Sequence, residues 1–126
     1  GTSEIYSAVE DGEDVKDSLV IDVDDGTGKL KMLLFVVLRK GARLDEELKD
    51  RIKRRVREKC SPRHVPDEIL EISEVPRTLN GKKLEVPIKR ILMGVPVEKA
   101  VNRGVMANPD SIRHFVQLAE TMMRKS

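Results

Sequence analysis

Apolar positions along this chain recur with two different periods. Leu44, Leu48, Ile52 and Val56 return every fourth residue, with Asp45, Glu46 and Glu47 near the start of the stripe and Arg54, Arg55, Arg57 and Lys59 toward its end. That arrangement predicts an amphipathic helix whose charges complement its dipole. A shorter helix is predicted from Thr2 or Ser3 as its cap, with Ile5, Ala8 and Val9 on one face and Asp11-Gly12 as its stop. Leu19 to Val23 and Met32 to Leu38 read as strands, and the Asp24-Asp25-Gly26-Thr27-Gly28 cluster between them as a turn. Together they predict an antiparallel hairpin. After the breaks at Pro62 and Pro66, Ile69 to Ile72 predicts a third strand.

The second half follows the same logic. Leu84, Ile88, Ile91 and Leu92 predict a helix with Pro87 in its first turn and Gly94 past its end, and 95–107 reads as irregular. Asn108-Pro109 reads as a cap followed by a first turn, and Ile112, Phe115, Val116, Ala119, Met122 and Met123 then repeat at helical spacing. The sum is an α+β fold: a small three-stranded sheet, mixed or antiparallel, flanked by helices and followed by a C-terminal helical extension. The Met122-Met123 stripe is expected to pack on the rest, with a partner-binding face as the alternative.

Composition narrows the function classes. A length of 126 residues suits one domain, and 39% hydrophobic with 37% charged residues describes a modest core under a well-solvated surface. The net charge of +2 predicts neither a nucleic acid nor an anionic membrane as partner. Lys53-Arg54-Arg55 raises a nucleic-acid-binding or free-standing interaction module as the alternative function, but one Tyr, two Phe and no Trp leave few stacking platforms. The lone Cys60 cannot form an internal disulfide, and it fits a reducing compartment, the cytosol. His64 and His114 stand far apart without metal-ligand spacing, so no metal site is expected, and structural roles are assigned to both. No run approaches the roughly 18 apolar residues of a membrane span. The start at Gly1, without an initiator methionine, suggests a piece of something longer.

The stretch Pro76-Arg77-Thr78-Leu79-Asn80-Gly81-Lys82-Lys83 carries the candidate chemistry. Asn80-Gly81 signals a tight turn needing positive φ, which would present Lys82 from a loop tip. A lysine is a compact point charge suited to a phosphate oxygen whose charge grows during substitution at phosphorus. The competing reading is an ordinary hairpin with a solvated lysine, and Lys83 is read as the solvated residue after the turn.

This run resembles the C-terminal lysine motif of the adenylate-forming superfamily, Pro-(Lys/Arg)-Thr-x-x-Gly-Lys, with Pro76, Arg77, Thr78, Gly81 and Lys82 in the specified positions. Gly1 to Tyr6 resembles the segment after that superfamily's interdomain hinge. The stretch from Leu79 to Lys89, with Val101-Asn102 and Ala107-Asn108-Pro109, is similar to the acetoacetyl-CoA synthetase branch. Asn80 and Val86-Pro87 depart from the broad superfamily pattern while fitting that branch.

The resemblance implies a division into a lid domain over 1–94 and a branch-specific extension over 95–126. It also implies a two-step ligase acting on a short carboxylate, ATP with Mg2+, and coenzyme A, with most of the nucleotide and acyl pockets on an N-terminal domain outside this sequence. Lys82 would be the catalytic residue of adenylation, Thr78, Asn80 and Gly81 the loop at the adenylate, and Arg57 a contact to coenzyme A. The fragment alone would be inactive. Acetylation of Lys82 would remove its charge, a form of control the superfamily uses.

Overall fold

The computed structural model describes residues 2–125, and the side chains of 2–123. The chain gathers into two compact units, one built from Gly1–Val20 and Met32–Ser73 and the other from Ile21–Lys31 and Glu74–Ser126. One three-stranded sheet contains β1 (Val15–Asp24), β2 (Leu30–Leu38) and β3 (Glu68–Glu71), in that order. β1 and β2 form the expected hairpin across the Asp25 to Lys29 turn, where the Asp25 amide donates to the Lys29 carbonyl over 2.9 Å. β3 lies parallel to β2, with Leu34 opposite Ile69 and Phe35 opposite Leu70. A parallel neighbour requires a long return, and α2 (Glu46–Lys59) supplies it. The sheet is therefore mixed and the fold is α+β, as the sequence predicts.

In the first unit, α1 (Thr2–Glu10) and α2 lie against one face of the strands. Ile5, Ala8 and Val9 of α1 meet Leu48, Ile52 and Val56 of α2, together with Val15, Val20, Leu34, Val36 and Ile69. Asp45 starts α2 by accepting the Leu48 amide at 2.8 Å, which satisfies one orphan donor of the first turn. β1 is longer than the pattern predicts because the polar residues Lys16 to Ser18 belong to it. Ser18 is fully buried there, and its hydroxyl donates to Glu10 Oε2 over 2.5 Å. The Tyr6 hydroxyl accepts from the Val20 amide at 3.0 Å, occupying a donor of a strand at the edge of the sheet.

Three of the seven cations of α2 are engaged with the start of the chain. Arg51 pairs with Asp14 at 3.1 Å, and Arg55 reaches Asp14 at 3.5 Å and the Val9 carbonyl at 3.0 Å. Lys59 hydrogen-bonds Asp11, and that bond is the main cause holding the Asp11 carboxyl below its ordinary value. Gly12 admits this arrangement: a Cβ there would lie 1.9 Å from an Arg55 guanidinium nitrogen.

The second unit contains α3 (Glu85–Leu92), the four-residue α4 (Val97–Ala100) and α5 (Arg113–Lys125), and α3 packs on α5. Ile88, Ile91 and Leu92 of α3 are buried, as are Phe115 and Ala119 of α5 and Ile112 in the 3-10 turn leading into it. The segment read as irregular holds α4 and a 3-10 turn over Arg103–Val105. Met122 is half-buried and Met123 more exposed. Asp25 holds the hairpin tip in this unit. Thr27 donates to its carboxylate through hydroxyl and amide, and these bonds keep the Asp25 carboxyl below its usual range. No helix among the described residues is long and apolar enough to cross a membrane.

Candidate functional site

The lysine loop lies wholly within the second unit and is a small hairpin. Thr78 accepts and donates at its centre: its amide donates to the Lys82 carbonyl at 2.9 Å, its carbonyl accepts the Gly81 amide at 2.8 Å, and its hydroxyl accepts the Lys82 amide at 3.0 Å. A threonine at this position thus fixes the backbone on both sides of the bend. Arg77 bridges to Lys83 as an antiparallel pair, and its guanidinium donates to the Gly81 carbonyl at 2.6 Å. The loop between Thr78 and Lys82 contains three residues. Only Gly81, at φ +84°, takes the left-handed conformation, while Asn80 does not. The Asn-Gly pair therefore forms the three-residue kind of hairpin closed by a left-handed glycine, not the two-residue turn with both residues at positive φ.

An added Cβ at Gly81 would meet nothing within 4 Å, so the cost of substitution there is conformational. Gly81→Ala is expected to destabilise the loop by about 1–2 kcal/mol. Amide exchange of 77–82 reads this directly; a variant as protected as the parent would show that the bend does not depend on glycine.

The bend leaves Lys82 exposed, and its ammonium makes no hydrogen bond or ion pair among the described residues. Lys83, one position on, is half-buried and engaged. Thr78, Asn80, Gly81 and Lys82 are thus brought together in a single turn. Arg57 lies elsewhere, exposed in the last turn of α2 in the first unit. His64 sits at 2.7 Å from the Ser61 hydroxyl through Nδ1, and His114 stands edge-on to Phe115. Among the described residues no three His, Cys, Asp or Glu side chains are grouped to hold a metal ion.

The far edge of the hairpin is occupied too. Thr78 pairs with Met106, the Leu79 amide donates to the Val105 carbonyl at 3.0 Å, and the Ala107 amide donates to the Arg77 carbonyl at 3.0 Å. Asn108 stands where a helix cap was expected, but its side chain makes no cap bond. Its Oδ1 accepts the Arg77 amide at 3.0 Å and its Nδ2 donates to the Val75 carbonyl at 2.9 Å. Arg77 and Asn108 are the site residues that sequence reasoning passed over. Arg77 was visible as a motif position, whereas Asn108 carried a local signal that pointed to a different job.

Residues 4–82 match the family of AMP-binding enzyme C-terminal domains. The chain belongs to that family. The matched residues run up to and include the exposed lysine, Lys82. The chain is 38% identical over 120 residues to acetoacetyl-coenzyme A synthetase of Rhizobium meliloti, spanning 95% of this chain and 18% of that protein. It is 40% identical over 119 residues to acetoacetyl-CoA synthetase of Caenorhabditis elegans, spanning 93% of this chain and 16% of that one. The solved acetoacetyl-CoA synthetase from Streptomyces lividans superposes with a TM-score of 0.89 at 47% identity, over 96% of this chain and 18% of that one. A Brucella canis acyl-CoA synthetase superposes with a TM-score of 0.62 at 26% identity, over 74% of this chain and 16% of that one. The chain thus spans under a fifth of the length of the relatives it matches.

Proposed function

We propose that this chain is the C-terminal lid of an ATP-dependent acid-thiol ligase, and that its parent converts acetoacetate, ATP and coenzyme A to acetoacetyl-CoA, AMP and pyrophosphate. The single observation that supports this most is an exposed lysine, unpartnered among the described residues, on a hairpin whose first arm is bonded along both edges, in a chain similar along almost its whole length to acetoacetyl-CoA synthetases. In the first step a carboxylate oxygen attacks the α-phosphorus of ATP, the bond to the β-phosphate oxygen breaks, and pyrophosphate leaves. In the second the thiolate of coenzyme A attacks the acyl carbon and AMP leaves with the bridging oxygen.

Lys82 serves the first step by placing its charge beside the α-phosphate, where negative charge gathers in the transition state. A cation that acts only there raises rate more than it raises substrate binding. Thr78, Asn80 and Gly81 shape the loop that brings it in, and Arg57 contacts coenzyme A. Residues 1–94 form the lid proper and 95–126 an extension of the acetoacetyl-CoA synthetase type. Its partner is the N-terminal adenylation domain of the same polypeptide, which carries most of the nucleotide and acyl pockets. Such lids complete a site on closing and exclude water from it. Among the described residues no three His, Cys, Asp or Glu side chains are grouped to hold the magnesium that accompanies ATP, and the N-terminal domain binds ATP and its metal for the most part. The parent works in the cytosol, and the isolated chain is inactive.

The test is to supply the intact parent with ATP, coenzyme A and a panel of short carboxylates while measuring AMP and thioester. Acetoacetate is expected to turn over best. Absence of AMP with every acid would overturn the proposal.

A further inference from the structure

The first arm of the lysine hairpin is the middle of three segments, and the third comes from outside the residues matched to the family. Residues 82–83 flank one edge through the Thr78 to Lys82 and Arg77 to Lys83 pairs. Residues 105–107 occupy the other through Leu79, Thr78 and Arg77. The family match ends at Lys82, so both Val105 to Ala107 and Asn108 lie beyond it. Asn108 is half-buried at the base, with an acceptor on the Arg77 amide and a donor on the Val75 carbonyl. A primary amide fits this place because it offers one acceptor and two donors in a plane. It stitches the strand entering the bend at two points, one residue apart from Pro76 on either side.

Arg77 links this stitch to the lysine. Its amide is held by Asn108, and its guanidinium holds the Gly81 carbonyl, the peptide oxygen immediately before Lys82. A short relay of Asn108, Arg77 and Gly81 thus joins the extension to the bend. A hairpin whose only pairing is between its own two arms would be free to twist as a unit, whereas one whose first arm is also paired to a third segment is held in direction. We propose that Asn108 is a positioning residue for adenylation, by which the 95–126 extension braces the lysine loop and sets the direction in which Lys82 is presented. The inference rests on Lys82 being the adenylation cation.

Asn108→Ala in the intact parent tests it, with Lys82→Ala alongside. Two readouts are needed. Amide exchange of 77–82 is expected to quicken by about 10-fold or more as a half-buried bond is lost, with α3 unchanged. Pyrophosphate exchange is expected to fall roughly 10- to 100-fold, as for a displaced catalytic group, while thioester formation from supplied acyl-adenylate stays within about 2-fold of the parent. A general loss of folding would slow both half-reactions together, and that outcome overturns the proposal. So does unchanged exchange in 77–82. If Lys82→Ala itself keeps normal pyrophosphate exchange, the reading of Lys82 fails and the proposal falls with it. If Lys82→Ala collapses exchange but Asn108→Ala does not, only the brace is refuted.

Discussion

Lys82→Ala in the intact parent is expected to lower acyl-adenylate formation by about 100- to 1,000-fold, the usual loss for one charge-stabilising donor. The second half-reaction, started from supplied acyl-adenylate, should persist at close to the parent rate. The split follows from where charge appears. At the α-phosphorus, the incoming carboxylate and departing pyrophosphate load negative charge onto oxygens that an ammonium can meet. When coenzyme A later attacks the acyl carbon, the developing charge lies on a carbonyl oxygen instead, and under the proposed function the lysine is not required there. Near-normal pyrophosphate exchange by the variant would sink the assignment.

The structure makes this a clean experiment. Lys82 is exposed, and its ammonium has no partner among the described residues, so truncating it removes no folded-state contact. Surface changes of that sort alter stability by no more than about 0.5 kcal/mol. The backbone bonds to Thr78 that form the bend involve the amide and carbonyl of residue 82, and alanine keeps both. Any large kinetic effect is therefore electrostatic or positional. Lys82→Arg separates those two: a planar guanidinium retains charge but carries it on a differently shaped head, and only partial recovery is expected.

What could be read from sequence was whatever is local. The Leu48, Ile52 and Val56 stripe became the buried face of α2, and Asp45 became its side-chain cap, because helical spacing and capping operate within one turn. The motif around Lys82 was legible for a similar reason, since the bend, its glycine and its threonine lie within five residues. β1 is longer than the pattern predicts because Ser18 is a buried polar residue with a half-buried partner eight positions away, Glu10, and alternation gives no hint of such pairs. Asn108 shows the limit most plainly. An Asn before a Pro is a good local cap, yet its side chain is claimed by Arg77 and Val75, 31 and 33 residues earlier. Two hydrogen bonds to backbone groups of a half-buried strand outcompete one cap bond, since the strand groups would otherwise stay unsatisfied. The basic helix shows the opposite case: its charges are visible in the sequence, but that Asp11 and Asp14 answer three of them, Arg51, Arg55 and Lys59, is not.

Phe115→Ala is expected to destabilise the 126-residue chain by about 3–5 kcal/mol, the range for removing a large aromatic side chain from a core. Phe115 is among the largest fully buried side chains, Ile112 before it is equally buried, and α5 packs on α3. The extension is therefore built into the second unit's core, and a loss of that size is a large share of the roughly 5–15 kcal/mol that holds a domain together. Phe115→Leu, which keeps most of the apolar volume, should cost less than the alanine variant. Urea unfolding of parent and variants provides the measurement. Residues 95–126 begin three positions after α3 ends and pair with the first arm of the lysine hairpin, so their anchorage also decides whether the brace can bear on Lys82. If Phe115→Ala unfolds at the parent's urea midpoint, α5 is an appended tail, and a tail that is not anchored cannot hold a loop in direction.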